Sequence, residues 1–136
     1  MAVFFRFLTL LALATLVATA LAGCERTAAP SFKAIDITGA EYAQGFDLPD
    51  AAGKRRTLAD FKGKVTLVFF GFTHCPDVCP TTLLEIAEVK KALGADGERV
   101  QGVFVTVDPE RDTPEVLKAY VDNFGAGFVA LRGTME

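Results

Sequence analysis

Residues 65–80 read VTLVFFGFTHCPDVCP and are the most informative part of this chain. Val65–Phe70 is a continuous run of β-branched and aromatic residues, which is typical of a strand buried on both faces at the centre of a parallel sheet. Cys75 and Cys79 follow it directly, and a helical pattern begins after them. A strand-to-helix junction is where an α/β sheet presents its reactive loop. The stretch therefore predicts a central strand that delivers two cysteines to such a loop.

The residues that follow extend this pattern into an α/β arrangement. Apolar residues recur at helical spacing over residues 83–93, and Val100–Val107 is a second apolar strand. Thr113 and Pro114 carry the signature of a helix start, and residues 128–131 begin a third strand. The alternation of strands and helices predicts a right-handed, parallel α/β sheet.

The residues before the central strand predict a β-hairpin. Short strands are expected around Ile35, Ile37, Phe46 and Leu48, with a turn over residues 48–53. A hairpin ahead of the sheet, together with a dithiol after its first central strand, predicts a thioredoxin-like fold.

The N-terminal residues predict export and a membrane anchor. Residues 1–22 are almost wholly apolar, with Arg6 as the one cation, and they end at Leu21-Ala22-Gly23-Cys24. This pattern is similar to a bacterial lipobox, so we expect a signal peptide over residues 1–23 and lipidation of Cys24. An uncleaved transmembrane helix is the alternative, since about 20 apolar residues suffice to span a bilayer. Either anchor leaves the rest facing the periplasm, as a flexible tether over residues 24–33 and a folded domain over residues 34–136.

Composition argues against a nucleic-acid partner. The formal net charge is −3, and no cluster of lysine and arginine occurs. The chain has three cysteines. If Cys24 is lipidated, Cys75 and Cys79 are the two left free. In an oxidising compartment, two cysteines this close usually form a disulfide or a metal site.

The spacing of Cys75 and Cys79 suits either soft-metal binding or disulfide exchange. A helix N-terminus favours thiolate over thiol, and thiolates bind copper-type metals and exchange disulfides. Pro76 and Pro80 each follow a cysteine, so we expect both cysteines to stay out of the α-helical region. A bent, stiff loop of this kind lets both sulfurs converge on one Cu(I), or on each other as a stabilising disulfide.

Two segments resemble the Sco/SenC copper chaperones: FGFTHCPDVCPTTL at residues 70–83 and VTVDPERDTPE at residues 105–115. Those are membrane-anchored proteins of thioredoxin fold that help to assemble the binuclear copper centre of cytochrome c oxidase. The resemblance implies that Cys75 and Cys79 are copper ligands. Because two thiolates satisfy Cu(I), whereas Cu(II) prefers nitrogen and oxygen donors, we expect Cu(I) to be bound more tightly than Cu(II). It also implies a copper-receiving subunit of the oxidase, or another periplasmic copper or thiol protein, as partner. Asp77 and Asp108 belong to the same segments without an assigned ligand role.

The resemblance stops short of a third copper ligand. In the family this ligand is a histidine several tens of residues beyond the second cysteine, whereas the one histidine here is His74, inside the dithiol motif. On an extended backbone its side chain should point away from the sulfurs, so we expect a loop or partner-contact role. The sequence resembles the N-terminal two-thirds of a Sco-type protein, and we expect a fold that is incomplete at the C-terminus.

Two functional classes are therefore open: a copper metallochaperone that catalyses no reaction, and a thiol-disulfide reductase that uses Cys75 and Cys79 as its redox pair. A thiol peroxidase is less well supported, because nothing marks a peroxide-stabilising arginine beside Cys75. The charged run of Asp108, Glu110, Arg111 and Asp112 can simply pair charges and lead into a helix capped by Thr113. Phe69, Phe70 and Phe72 are expected to pack in the core or to line a pocket beside the dithiol.

Overall fold

The computed structural model describes Met1, Phe4, Arg6, residues 33–125 and residues 127–135. Cys24, with nearly all of the predicted signal peptide and tether, lies outside the described residues. Within the described ranges, no helix is long and apolar enough to cross a bilayer. The chain divides into two units, residues 1–39 and residues 40–136.

The described end of the first unit contains no strand. Residues 35–37 have no regular secondary structure, and Ile35 is 90% exposed. The prediction of short strands at Ile35 and Ile37 was therefore wrong. A local turn forms instead, in which the Thr38 N–H donates to the Asp36 carboxylate at 2.9 Å. Asp and Asn side chains often bond the backbone two residues on, and this offers the chain an alternative to a strand.

The second unit opens with the predicted β-hairpin. Strand β1 spans Asp47–Pro49, strand β2 spans Arg55–Thr57, and the two pair antiparallel. Asp50 organises the turn between them, since its carboxylate accepts hydrogen bonds from the N–H groups of Ala52 and Lys54. The hairpin is confirmed, although Phe46 lies just outside it.

Three parallel strands form the sheet: β3 (Val65–Gly71), β4 (Val100–Thr106) and β5 (Phe128–Arg132). Their order is β3-β4-β5, so β4 is the central strand. The register aligns the carboxyl ends of β3 and β4, where Gly71 pairs with Thr106. The loop that follows β3 therefore lies beside the loop that follows β4.

Two α-helices connect the strands. Helix α1 spans Val78–Ala92 and helix α2 spans Pro114–Asp122. Helix α2 begins as predicted, because the Thr113 hydroxyl accepts a hydrogen bond from the Val116 N–H. Two 3₁₀ helices, Leu58–Phe61 and Gly94–Arg99, complete the connections.

The core lies on both faces of the sheet, because alternate residues of β4 point in opposite directions. On one face Phe104 packs with side chains from both helices and β5, namely Leu83, Leu117, Val121 and Ala130. On the other, Val103 and Val105 pack with Leu131 and with Phe61 of the first 3₁₀ helix. The fold is therefore α/β, with the hairpin on one side of the sheet and the helices on the other.

The structure corrects the placement of the first strand. We expected β3 to be central and buried on both faces, but it lies at the edge of the sheet in the described part of the chain. Phe70 is 65% exposed and Val68 is 40% exposed, whereas Phe69, on the opposite face of the strand, packs against the core. The reason is that the hairpin side of the sheet packs over β4 and β5, so the residues of β3 on that face are left uncovered.

Candidate functional site

The dithiol lies at the junction between β3 and α1. Cys75 is in the loop before the helix, and Cys79 is the second residue of the helix itself. The expectation that both cysteines avoid the helical region was therefore wrong for Cys79. Pro80 is the third helical residue, a position whose backbone N–H has no partner within a helix, so the proline costs no hydrogen bond there. The helix consequently starts at Val78, five residues before the apolar helical pattern that begins at Leu83.

The two sulfurs lie close together but differ in exposure. The backbone N–H of Cys79 donates to the Sγ of Cys75 at 3.4 Å, and the Cys79 thiol forms a hydrogen bond with the same sulfur. Both cysteines are free thiols. Cys75 is half-buried, whereas Cys79 is only 5% exposed. One sulfur is therefore accessible from outside, and the other is held beneath it.

This arrangement moves the pKa values of the two thiols in opposite directions. The hydrogen bond from the Cys79 thiol, followed by backbone N–H donors at the start of α1, lowers the pKa of Cys75. Burial, followed by the hydrogen bond to Cys75, raises the pKa of Cys79. Charge on Cys75 and on Asp112 raises it further. Cys75 is thus the thiol that ionises first.

The floor of the site is shaped by Gly71, the last residue of β3. A Cβ atom on Gly71 would lie 3.0 Å from the Cys79 sulfur and 2.9 Å from the Phe104 ring. Phe69 lies equally close and packs in the core, as predicted, while exposed Phe70 does not. The Cys79 sulfur and the two aromatic rings accordingly fill the space beside Gly71 and leave no room for a side chain there.

His74 does not turn toward the sulfurs to complete a ligand set. Its Nδ1 atom is 3.2 Å from the Thr73 hydroxyl and 3.9 Å from the Asp112 carboxylate, and its side chain is 59% exposed. Among the described residues, no group of three or more histidine, cysteine, aspartate and glutamate side chains could hold a metal ion. The donors that this part of the chain offers to a soft metal are the two sulfurs.

The charged run before α2 contains Asp112, a buried residue that the sequence did not mark as part of the site. Asp108 pairs with Arg111, and this pairing lowers the pKa of Asp108, as a charge-paired turn predicts. Asp112, by contrast, is fully buried and accepts hydrogen bonds from Thr73 in the cysteine loop. Nothing in the local sequence distinguishes it from its exposed neighbour Glu110. Its burial depends on a partner 39 positions away.

Tyr120 is a second residue near the site that the sequence did not single out. Its ring packs on Phe104 at a centroid distance of 5.5 Å. Its hydroxyl is buried and has no hydrogen-bond partner among the described residues. Burial, with smaller contributions from charge on Cys79, Cys75 and Asp112, raises the pKa of Tyr120 to about 12.

Comparisons with known proteins agree on one family. The SCO1/SenC family model matches residues 36–136. The mitochondrial SCO2 homolog of Homo sapiens is 45% identical over 100 residues, which cover 71% of this chain and 38% of that protein. The chain spans about two fifths of the length of the curated relatives it matches.

Solved structures show the same likeness. The copper-bound ScoI of Bradyrhizobium japonicum has a TM-score of 0.61 and 50% identity, covering 67% of this chain and 58% of that one. A SCO1/SenC family lipoprotein from Bacillus anthracis has a TM-score of 0.59 and 34% identity, covering 67% and 56%. The predicted thioredoxin-like α/β fold is thereby confirmed.

Proposed function

The chain belongs to the SCO1/SenC family, and from that premise we propose that it binds copper through Cys75 and Cys79 and hands it on during assembly of cytochrome c oxidase. The recipient in this proposal is the copper-receiving subunit, at its binuclear copper centre, or another periplasmic copper or thiol protein. Copper is cargo here, and the protein supplies two sulfurs and their placement.

The closeness of the two cysteines, in which the Cys79 N–H donates to the Cys75 sulfur at 3.4 Å, is the observation that carries the proposal. Cu(I) is a soft ion that accepts thiolate ligands at low coordination number. Cys75 and Cys79 already share a hydrogen bond at the start of α1, so closing on one ion needs little rearrangement. The helix N-terminus also favours the negative charge that thiolate ligands carry.

The difference in exposure suits a carrier that must release its cargo. Cys75 is accessible, so an incoming ligand of the recipient can replace it first while Cys79 still holds the ion. Buried Cys79 then leaves second. Ligand exchange of this kind transfers the metal without exposing it to solvent.

The test is a competition titration of the fully reduced chain with Cu(I) and a chromophoric chelator. We expect about one Cu(I) per chain, held by two thiolates. Cys75→Ser and Cys79→Ser should each lose tight binding, because one thiolate does not hold the ion against competing thiols. Cys24→Ser is the matched control and should bind as the unmodified chain does. Loss of binding in His74→Ala as complete as in Cys75→Ser would contradict this ligand assignment.

A thiol-disulfide reductase is the second candidate, favoured by the opposite pKa shifts of the two thiols. The Cys75 thiolate would attack a partner disulfide, forming a mixed disulfide and releasing one partner thiolate. Cys79 would then attack the Cys75 sulfur, forming the Cys75–Cys79 disulfide and releasing the second partner thiol. Two electrons thus pass to the partner, and an external thiol reductant restores the pair.

The two candidates differ in what they require of copper. A reductase alone would bind little Cu(I) but would reduce a disulfide in a peptide from a copper-receiving protein, with Cys79→Ser trapped as the mixed disulfide. A chaperone would bind Cu(I) stoichiometrically and transfer it to the reduced peptide. Measuring bound copper and peptide thiols in the same samples separates the two.

For location, we propose that the protein is exported and held at the membrane through lipidated Cys24. The lipobox pattern at residues 21–24 supports this anchor. The similarity to a Bacillus anthracis protein that is itself named a lipoprotein supports it independently.

A further inference from the structure

A buried carboxylate joins the cysteine loop to the end of the central strand. Asp112 is 0% exposed. Its Oδ1 accepts a hydrogen bond from the Thr73 hydroxyl at 2.6 Å, and its Oδ2 accepts from the Thr73 N–H at 3.1 Å. The same Oδ2 accepts from the Thr106 hydroxyl at 2.6 Å. Thr73 lies two residues before Cys75, and Thr106 is the last residue of β4.

Burial of a carboxylate is costly unless hydrogen bonds replace its hydration. Three donors do so here, namely the Thr73 N–H and the hydroxyls of Thr73 and Thr106. Two of the three donors belong to Thr73, so the cysteine loop supplies most of the hydrogen bonding that compensates for the burial of Asp112.

Helix capping does not account for Asp112. The cap of α2 is Thr113, whose hydroxyl accepts from the Val116 N–H. The carboxylate of Asp112 instead accepts its hydrogen bonds from Thr73 in the cysteine loop and Thr106 in β4. A residue placed only to start the helix would not need to be buried against Thr73 and Thr106.

We propose that Asp112 is a positioning residue for the dithiol, fixing the loop that carries Cys75 against the sheet so that the two sulfurs meet. The Cys75 N–H bonds to the Phe72 carbonyl, so Thr73 lies within the turn that presents Cys75. Holding Thr73 therefore holds that turn. Cys79 is fixed separately by α1 and by its contact with Gly71. The consequence for copper rests on the proposed function, whereas the consequence for the two thiols does not.

The hydrogen bonds, rather than the charge, do the positioning, and this can be separated experimentally. In Asp112→Asn, the amide oxygen can accept from the Thr73 N–H and the Thr106 hydroxyl, while the amide nitrogen donates to the Thr73 hydroxyl. All three links persist without the charge. In Asp112→Ala all three are lost.

Gln101 provides a matched control at the opposite end of β4. Its side chain is also buried and polar, and its amide donates to the carbonyls of Gly102 and Gly127. Gln101→Ala removes a buried polar bridge from the same strand, far from the cysteines. It should lower stability without changing the dithiol.

The experiment measures two quantities in the full chain. One is the effective concentration of the Cys75–Cys79 pair, from its disulfide equilibrium with glutathione, and the other is Cu(I) affinity. We expect Asp112→Ala to lower both by about 10-fold or more, in the range found when groups that orient metal ligands are removed. Asp112→Asn should rescue both quantities, and Gln101→Ala should leave both unchanged.

Several outcomes would overturn the proposal. Unchanged values in Asp112→Ala would do so, as would equal losses in Asp112→Asn or in Gln101→Ala. If Asp112→Ala does not fold, Thr73→Val removes one bond to Asp112 and keeps the carboxylate; it should cause a smaller loss in both quantities, and no loss counts against the proposal. If the unmodified chain binds no Cu(I), the proposed function fails, while the glutathione measurement still decides the role of Asp112.

Discussion

The sulfur of Cys79 rests against the backbone of Gly71, so closely that a Cβ atom on Gly71 would lie 3.0 Å from it. Real Cβ atoms seldom come this near to a neighbouring side chain. The first turn of α1 can therefore pack on the end of β3 only because no side chain intervenes. The position of the Cys79 sulfur therefore depends on a glycine at position 71.

Gly71→Ala should disturb the buried half of the dithiol. The added methyl group meets the Cys79 sulfur and the Phe69 and Phe104 rings, and overpacking of this kind costs about 1–3 kcal/mol. We expect a lower free energy of unfolding in denaturant and weaker Cu(I) binding. Gly45→Ala is the control, since a Cβ there meets nothing within 4 Å. Wild-type Cu(I) affinity in Gly71→Ala would show that Cys79 need not sit against the strand.

Much of the fold could be predicted because its signals are local. The helix and strand periods, the Thr113-Pro114 helix start and the hairpin turn each depend on neighbouring residues. The prediction that β3 is the central strand was wrong, because an apolar run indicates a strand but does not indicate its position in the sheet. Whether that strand lies at the centre or the edge depends on pairing with β4 and β5, and on what covers each face.

The site was predicted in part for the same reason. Cys75 and Cys79 stand out by type and spacing, but the helical conformation of Cys79 depends on its place in the first turn, where a following proline is tolerated. Asp112 could not be identified, because its partner Thr73 is distant in sequence and meets it only when β3 and β4 align. Buried polar contacts of this kind follow from the tertiary structure.

The two thiols should react at different pH. Because the pKa of Cys75 is lowered and that of Cys79 is raised, the alkylation rate of Cys75 should rise at lower pH than that of an ordinary thiol, and Cys79 should lag behind it. The measurement is iodoacetamide labelling of the reduced chain from neutral to alkaline pH, followed by peptide mass spectrometry.

A pair of variants tests the cause of that shift. Cys79→Ala removes the thiol donor to Cys75, so the Cys75 midpoint should move to higher pH, while Cys79→Ser keeps a hydroxyl donor and should move it less. Faster labelling of Cys79 than of Cys75 would reverse the assignment of the accessible thiol.

The same two shifts make the stability of the fold depend on pH. The lowered pKa of Cys75 stabilises the folded state at pH values above the pKa of the unfolded thiol, and this stabilisation is lost as pH falls through the folded pKa. The raised pKa of Cys79 stabilises the folded state below the pKa of the unfolded thiol, and this stabilisation is lost as pH rises through the folded pKa.

Tyr120→Phe should be neutral or stabilising. The hydroxyl is buried without a partner among the described residues, so its removal relieves a desolvation cost of about 1–3 kcal/mol and leaves the ring contact with Phe104 in place. Urea unfolding of the reduced chain measures this. Tyr42→Phe, at an exposed tyrosine, is the control and should have no effect. Marked destabilisation by Tyr120→Phe would mean that the hydroxyl does find a partner, such as a cysteine sulfur.

Cys24→Ser should block lipidation and leave an uncleaved precursor, because the lipid is attached to that cysteine before the signal peptide is removed. The measurement is metabolic labelling with a fatty acid, together with the mass of the product in a bacterial host. Cys75→Ser is the matched control and should be processed as the unmodified chain is. Normal cleavage and labelling of Cys24→Ser would favour the uncleaved transmembrane helix as the anchor.

The last prediction concerns the oxidation state of copper. Cu(II) is harder than Cu(I) and prefers nitrogen and oxygen donors in a square arrangement. The described residues offer the two sulfurs, with the ring of His74 directed to Thr73 and Asp112. We therefore expect Cu(II) to be reduced rather than held: two Cu(II) ions take one electron each from the dithiolate, giving two Cu(I) and a Cys75–Cys79 disulfide. A visible and paramagnetic-resonance titration of the reduced chain should show a transient thiolate-to-Cu(II) charge-transfer band and rapid loss of the Cu(II) signal. The Cys75→Ser, Cys79→Ser double variant should show neither the band nor the loss. A stable one-to-one band lasting for hours would contradict a site of two sulfurs alone, because a further donor would then have to complete it.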